Sequence, residues 1–464
     1  MYQVPQHIDK NKIFIVQRSE IEGRLDPKMA LYNRKVLHSL YPKVRLKDVL
    51  LCKPQYGASE PGVPRSSIKE PRYIRITDID ENGLISHDEL GATAKIIEDK
   101  YILCENDILI ARSGATVGKA YIHKPALYDC FFAGYLIRFI INTDKALPEY
   151  IFTYTQLNAY KEWVNAIQRP SGQPNINSEE YQSLEIPLPN IERQQVIVDV
   201  IKSAYLQKKQ KESEAKQLLY NVDAYILNEL GITLPEIKTD LKNRIFKVNR
   251  SELEERLDPT VYKDGIKLIS NNYDNVKLSS VAYINPTGTF KGKDIETPIS
   301  FIPMESIDEI YSEVSKLEDT TIENASGFTK FKEGDLLWAK ITPCMQNGKS
   351  AIAKNLTNGL GCGSTEFFVM RNKDERLAIE YLHVILHMKC VRETAMLYFG
   401  GSAGQQRVSS AFLENFNLPL PPKDKQIEIA NHVYTIRQKA KALQEEGKVL
   451  LEEAKRKVES MIIG

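Results

Sequence analysis

The sequence predicts an α+β protein of two tandem-duplicated domains, each a twisted β-sheet with short helices, and each followed by one long helix. The two long helices are expected to pair as an antiparallel coiled coil. Three observations predict this: a repeat at half the chain length, one order of β-rich and helical stretches in both copies, and two proline-free amphipathic stretches of about forty residues.

The repeat is read first. Val16–Pro27 (VQRSEIEGRLDP) returns as Val248–Pro259 (VNRSELEERLDP) 232 residues later, with nine of twelve letters identical. The same offset aligns Tyr41, Val44, Leu46 and Val49 with Tyr273, Val276, Leu278 and Val281, Gly172-Gln173 with Gly404-Gln405, and Gln194 with Gln426. In the middle it drifts: Asp107 matches Asp335 at 228, and Gly118-Lys119 matches Gly348-Lys349 at 230. Drift followed by recovery implies compensating loop insertions. A period this long is a domain duplication, not a solenoid. The first fifteen or so residues lack a counterpart and are expected to be a flexible extension.

Within each copy the β-type runs come first: Arg72–Ile79, Asp107–Ala111 and Tyr135–Ile141, then Phe301–Ile307, Asp335–Ala339 and Phe367–Met370. They are rich in Ile, Val, Phe and Tyr and bounded by Gly, Asn and Asp. A helical stretch follows, Pro148–Ala166 and Ala378–Leu397, with Pro148 suited to a first helical position. Next come a Gly/Gln/Ser loop, a short strand ending in Pro-Leu-Pro, and a long helix. The long helices are expected over about 192–230 and 423–462, with apolar residues three or four apart and Lys, Glu and Gln between. Gly231 and Pro235 stop the first. About forty residues make a rod of roughly 60 Å, whose apolar stripe needs a partner. Its own duplicate is the simplest one.

Composition bounds the function. With 42% hydrophobic and 27% charged residues the chain is neither disordered nor fibrous. No segment has signal-peptide or membrane-span character, and six scattered cysteines without a C-x-x-C pair suit a reducing cytoplasm. The net charge of +1 gives a nucleic-acid role no support of its own; basic faces would have to be local.

Several stretches imitate catalytic motifs. Gly114-Ala-Thr-Val-Gly118-Lys119 is one residue short of a phosphate loop, and Ala120 stands where Ser or Thr would meet magnesium. A strand-to-strand turn is the better reading. Phe399–Gly404 is glycine-rich but follows a helix, whereas a dinucleotide loop follows a strand. His383 and His387 share a helix face without a glutamate between them, which reads as packing or surface before metal. No catalytic residue and no metal site are expected.

Polar and basic loops remain. Arg169, Ser171, Gln173 and Asn175 end the helical stretch of copy one; Ser402, Gln405, Gln406 and Arg407 are their counterparts. Arg72, Arg75, Arg112, Ser113 and Lys119 in copy one, and Lys340, Thr342, Gln346, Asn347 and Lys349 in copy two, add to them. Arg and Lys can pair with guanine, Gln and Asn with adenine, and hydroxyls with phosphate. These are the candidate DNA-binding residues. Solvated loops without special role are the bland alternative.

Taken together, the chain resembles the specificity subunit of type I restriction-modification systems. The likeness rests on the duplicated order of domain, Pro-Leu-Pro strand and long helix. It is carried by Ile186–Gln195 (IPLPNIERQQ) with Leu418–Gln426 (LPLPPKDKQ), by Gly334–Lys340 and by Gly363–Phe368. The resemblance implies two target recognition domains (1–189 and 232–421) reading double-stranded DNA, one half-site each, and two helices (190–231 and 422–464) that set the spacer. The domains diverge most over 56–97 and 288–326, as expected if each reads a different sequence. It further implies a non-catalytic, cytoplasmic, membrane-free subunit working with two methyltransferase subunits and with endonuclease/translocase subunits. S-adenosylmethionine, ATP and magnesium would sit on those partners, none on this chain. Two alternatives stay open: a coiled-coil scaffold with two protein-binding domains, and a DNA methyltransferase in its own right. The second would need a cofactor loop after a strand and an Asn- or Asp-Pro-Pro-aromatic loop, and neither is found.

Overall fold

A computed structural model describes residues 15, 27–34, 39–85, 90–168, 174–235, 247, 248, 250, 258–402 and 404–463. The repeated Val16–Asp26 and Ser251–Leu257 stretches, the first fourteen residues, and Arg169, Ser171 and Gln173 lie outside them. Two compact units divide the chain, one of residues 1–210 with 446–464, the other of 211–445. Each unit thus takes half of each long helix.

In the first unit, strands Gln55–Tyr56, Leu136–Phe139, Ile108–Ala111 and Ala120–Ile122 form one sheet in that order. A second sheet runs Gly62–Pro64, Ala92–Ala94, Arg72–Ile74, Cys130–Phe132, the last two strands parallel. The apolar run Ile108–Ala111 is buried along its whole length because both of its faces are covered. Ile108 and Ile110 face the helices with Tyr150, Trp163 and Ile197; Leu109 and Ala111 face a second core with Ile74 and Phe132. The second unit repeats this. Its sheets run Ala282–Ile284, Phe367–Asn372, Leu336–Ala339, Ser350–Ile352, and Glu318–Thr321, Pro298–Ile302, Leu360–Gly363, Thr329–Lys332. Leu336 and Trp338 face the helices, while Leu337 faces the inner core with Ile302 and Phe331.

The helical stretches differ from expectation. Each is two helices, Pro148–Thr155 with Asn158–Ile167, and Ile379–His387 with Lys389–Met396. The breaks fall at Leu157 and Met388, both outside helical geometry. Each new helix start is capped from far away in sequence. The Glu459 carboxylate accepts from the Ala159 N–H at 2.8 Å, and that of Asp223 from the Lys389 N–H at 2.8 Å. These carboxylates satisfy first-turn donors that would otherwise be orphaned.

The long helices are Ile191–Glu229, 39 residues, and Lys423–Ile462, 40 residues. They run antiparallel. In the second unit Lys425 pairs with Glu229 at 2.6 Å, Tyr225 lies 4.1 Å from His432 between ring centroids, and Ala215 packs with Ala440. In the first unit a Cβ on Gly447 would meet Lys208 Cγ at 3.3 Å. Ile197, Ile201, Leu451 and Val458 complete the first core; Ile226, Leu230, Ile429 and Val433 complete the second. Among the described residues no helix is long and apolar enough to cross a membrane.

One bond set recurs in both units. Gln194 and Gln426 are fully buried at the starts of the long helices. Each accepts from the first N–H of the helical stretch, Leu147 and Ala378, and donates to the Pro-Leu-Pro carbonyl of Pro189 or Pro421, all at 2.8 Å. The Tyr150 and Tyr381 hydroxyls donate to the Pro187 and Pro419 carbonyls at 2.5 and 2.8 Å. This explains why the Pro-Leu-Pro-to-glutamine spacing returns intact.

Candidate functional site

In each unit the chain returns from the helices and pairs with the end of the central strand. In the first, the Ile176 N–H donates to the Arg112 carbonyl at 2.8 Å, Gly114 N–H to Pro174 at 3.0 Å, and Arg112 N–H to Tyr135 at 3.0 Å. In the second, Val408 donates to Lys340, Thr342 to Gln406, and Lys340 to Glu366, each at 2.9 Å. The bridges Ser113–Asn175 and Ile341–Arg407 complete the correspondence. The two sites share a backbone framework and carry different side chains on it.

On that frame the first site presents Arg112, Ser113 and exposed Asn175. The Arg112 guanidinium stacks 5.0 Å from the Tyr56 ring centroid, and Tyr135 beside it is 62% exposed. The second site presents Lys340, Thr342, Gln405, Gln406 and Arg407. Lys340 lies 5.7 Å from the Phe368 ring centroid. Arg407 is forked onto Glu366, with Nη2 and Nε at 2.8 and 2.9 Å from its two oxygens, and holds that carboxyl below its usual range. The Thr342 hydroxyl itself is buried beneath this surface and, among the described residues, has no partner. Ser402 is exposed on the loop between strands Phe399–Gly400 and Arg407–Val408. Tyr56, Tyr135, Glu366 and Phe368 are not among the contact residues that the sequence suggests, although Glu366 and Phe368 lie in the Gly363–Phe368 stretch, because an aromatic or acidic residue at a strand end looks like core or surface until the strand register is known.

The other candidates lie away from these strand ends, and only Arg72 among them is buried. Arg72 is 1% exposed and sits beneath Gly91, with the Tyr128 hydroxyl at 3.5 Å, so it is a core residue. Arg75 is forked onto Asp78 of its own turn at 2.9 and 3.1 Å. The Lys119 ammonium donates to the Ile79 carbonyl, and that of Lys349 to the Met304 carbonyl at 3.2 Å. Asn347 donates to Glu309 at 3.1 Å, whereas the Gln346 side-chain amide lies 3.9 Å from Met396 Sδ at the surface and only its backbone carbonyl accepts from Arg392. Apart from Gln346, these side chains hold turns to their neighbours.

The phosphate-loop mimic is a turn between strands Ile108–Ala111 and Ala120–Ile122. Gly118 has φ +87°, and a Cβ there would meet Val164 Cγ1 at 2.8 Å. Its counterpart Gly348 has φ +90°, and a Cβ there would meet His387 Nε2 at 2.9 Å. Packing accounts for these glycines. His383 and His387 are engaged with the Ser350 hydroxyl and the Glu309 carbonyl at 3.1 and 3.2 Å. Among the described residues no group of three or more His, Cys, Asp or Glu could hold a metal ion.

Fold and site thus define a duplicated two-domain protein with one framework and two dissimilar loop surfaces. Residues 72–219 and 270–452 match the profile of the type I restriction modification DNA specificity domain, and the chain belongs to that family. The type I restriction enzyme EcoEI specificity subunit of Escherichia coli is 35% identical over 168 residues, 35% of this chain and 27% of that protein. The EcoAI specificity subunit of Escherichia coli is 34% identical over 183 residues, 38% of this chain and 29% of that protein. The chain thus matches under a third of the length of these curated relatives. A solved chain described under complex assembly and conformational transition of the type I R-M system superposes with a TM-score of 0.51. It covers 91% of this chain and 96% of its own at 16% identity, which is a likeness of fold.

Proposed function

We propose that this chain is the specificity subunit of a type I restriction-modification complex, each unit reading one half of a bipartite double-stranded DNA target. The observation that carries the reading is the contrast inside the duplication. Framework bonds recur, from Gln194 and Gln426 to the three backbone bonds at each strand end. The side chains on that frame do not: Arg112 against Lys340, Ser113 against Ile341, Tyr135 against Glu366, Asn175 against Arg407. Two readers of different sequences need one scaffold and two surfaces. Arg and Asn read base edges, Glu accepts from cytosine, and Tyr can stack or bond to phosphate.

Catalysis then falls to partners: two methyltransferase subunits and the endonuclease/translocase subunits, which would carry S-adenosylmethionine, ATP and magnesium in the cytoplasm. The glycine turns of this chain support that division, since they serve packing. Gel-shift titration of the chain with its methyltransferase partner tests the reading. Binding should select one sequence over scrambled duplexes by about 10³-fold or more at fixed salt. Binding indifferent to sequence would overturn it.

A further inference from the structure

In the second unit a cavity of about 690 Å³ lies between the turn 308–314, the helix Ile379–His387 and the second long helix. Arg437 lines it. This arginine is 7% exposed and makes no hydrogen bond or ion pair within 4 Å among the described residues. Behind its wall the Tyr311 hydroxyl and the Ser312 Oγ are shielded from solvent and, among the described residues, have no partner. Ser312 also holds φ at +58°, which few residues other than glycine adopt. Buried donors are rarely left unpaired, and a buried guanidinium least of all.

The duplicate shows how the same place can be closed. Tyr205 stands in the first unit where Arg437 stands in the second, and its hydroxyl donates to the Asn82 carbonyl at 3.1 Å. Phe152 stands where His383 stands, its ring pressed against Gly83. The turn is also one residue shorter, bridged Ile79–Ile85 against Ile307–Val314. A phenol and a phenyl ring are thus replaced by a guanidinium and an imidazole.

The carboxylates facing Arg437 are Asp223 and Glu313, with Arg392 opposing them. Both carboxylates are committed elsewhere. Glu313 accepts from Gln438 and Lys441 at 2.6 Å each, and Asp223 caps Lys389. Burial accordingly pushes the Arg437 pKa down to about 10. The remaining wall is mixed: Val314, Leu317, Ile352, Val384 and Ile427 give it an apolar side, Lys354 adds a second cation, and Glu380 disfavours extended polyanions.

We infer that this cavity binds a small oxyanion with an apolar body, its carboxylate or phosphate head held by Arg437. The volume suits such a molecule. Ligand would clasp the turn 308–314 to the second long helix. The site is separate from the strand-end surface and does not rest on the DNA reading.

Calorimetric titration of the full chain with benzoate, phenyl phosphate and inorganic phosphate, at constant ionic strength, tests this. Benzoate or phenyl phosphate should bind once per chain, at least about tenfold more tightly than inorganic phosphate. Arg437→Gln should weaken binding at least about tenfold, and so should His383→Phe, which restores the aromatic of the first unit. Whichever of the two headgroups binds names the source class. Hydrogen exchange over 308–314 should slow on binding. No heat from any probe at about 10 mM, or affinity unchanged in both variants, would overturn the site. Inorganic phosphate binding as tightly as phenyl phosphate would overturn the apolar body.

Discussion

Replacing Gln426 by Ala should loosen the second unit at one defined seam. The side chain is fully buried and makes three bonds at 2.8 Å: it accepts from Ala378 N–H and donates to the Pro421 and Arg376 carbonyls. Alanine leaves a buried N–H unpaired, at a cost of about 1–3 kcal/mol, and removes two donors worth about 0.5–1.5 kcal/mol each. The expected loss is about 3 kcal/mol, a large part of a domain stability of roughly 5–15 kcal/mol. Two compact units need not unfold together, so a single midpoint would blur the effect. Hydrogen exchange read by peptide separates them. Protection over 379–387 should fall about a hundredfold while 148–155 keeps its own. Gln426→Glu should be no better, because a carboxylate still accepts from Ala378 but faces two carbonyls. A change below about 0.5 kcal/mol for Gln426→Ala would refute the claim that these bonds hold helix to strand.

Acid should act on the second unit through its histidines. Burial holds both neutral, His383 at a pKa of about 3 against an ordinary 6.5, with Arg437 and Lys354 facing it and Arg437 and Arg392 facing His387. Below about 6.5 the unfolded chain takes up protons that the folded unit does not. Stability is therefore full above that pH and falls toward 3, by at most about 1.4 kcal/mol per pH unit for each histidine. His383→Gln should flatten the melting-temperature slope between pH 6.5 and 5; an unaltered slope would clear His383. Gly118→Ala should cost about 2–4 kcal/mol, combining strain at positive φ with overpacking against Val164, whereas Gly334→Ala, open within 4 Å, should cost about 1 kcal/mol. Equal losses in urea titration would contradict the packing role of the Gly118 turn.

The repeat, the order of elements and the long helices were legible because each repeats locally. The second long helix begins at Lys423, as periodicity implies, and the glycine turn lies between strands as its flanks suggested. The helix breaks were not legible, since Glu459 and Asp223 cap them from remote positions. Arg72 reads as a surface cation, yet parallel pairing with Cys130 buries it. Tyr135 and Glu366 joined the candidate sites only once strand register set them beside Arg112 and Lys340. A side chain's reach across the sheet is tertiary information, and neither composition nor spacing carries it.

The central claim is that the two units read different halves of one DNA target. It is tested most directly by selecting bound duplexes from a randomised pool with the chain and its methyltransferase partner. Wild type, Arg112→Ala and Arg407→Ala should be compared at fixed salt. Wild type should enrich two short motifs at a fixed spacing. Arg112→Ala should relax one motif and Arg407→Ala the other, each by about 1–3 kcal/mol of discrimination at the affected base pair. A single contiguous motif, or both substitutions relaxing the same half, would contradict the account.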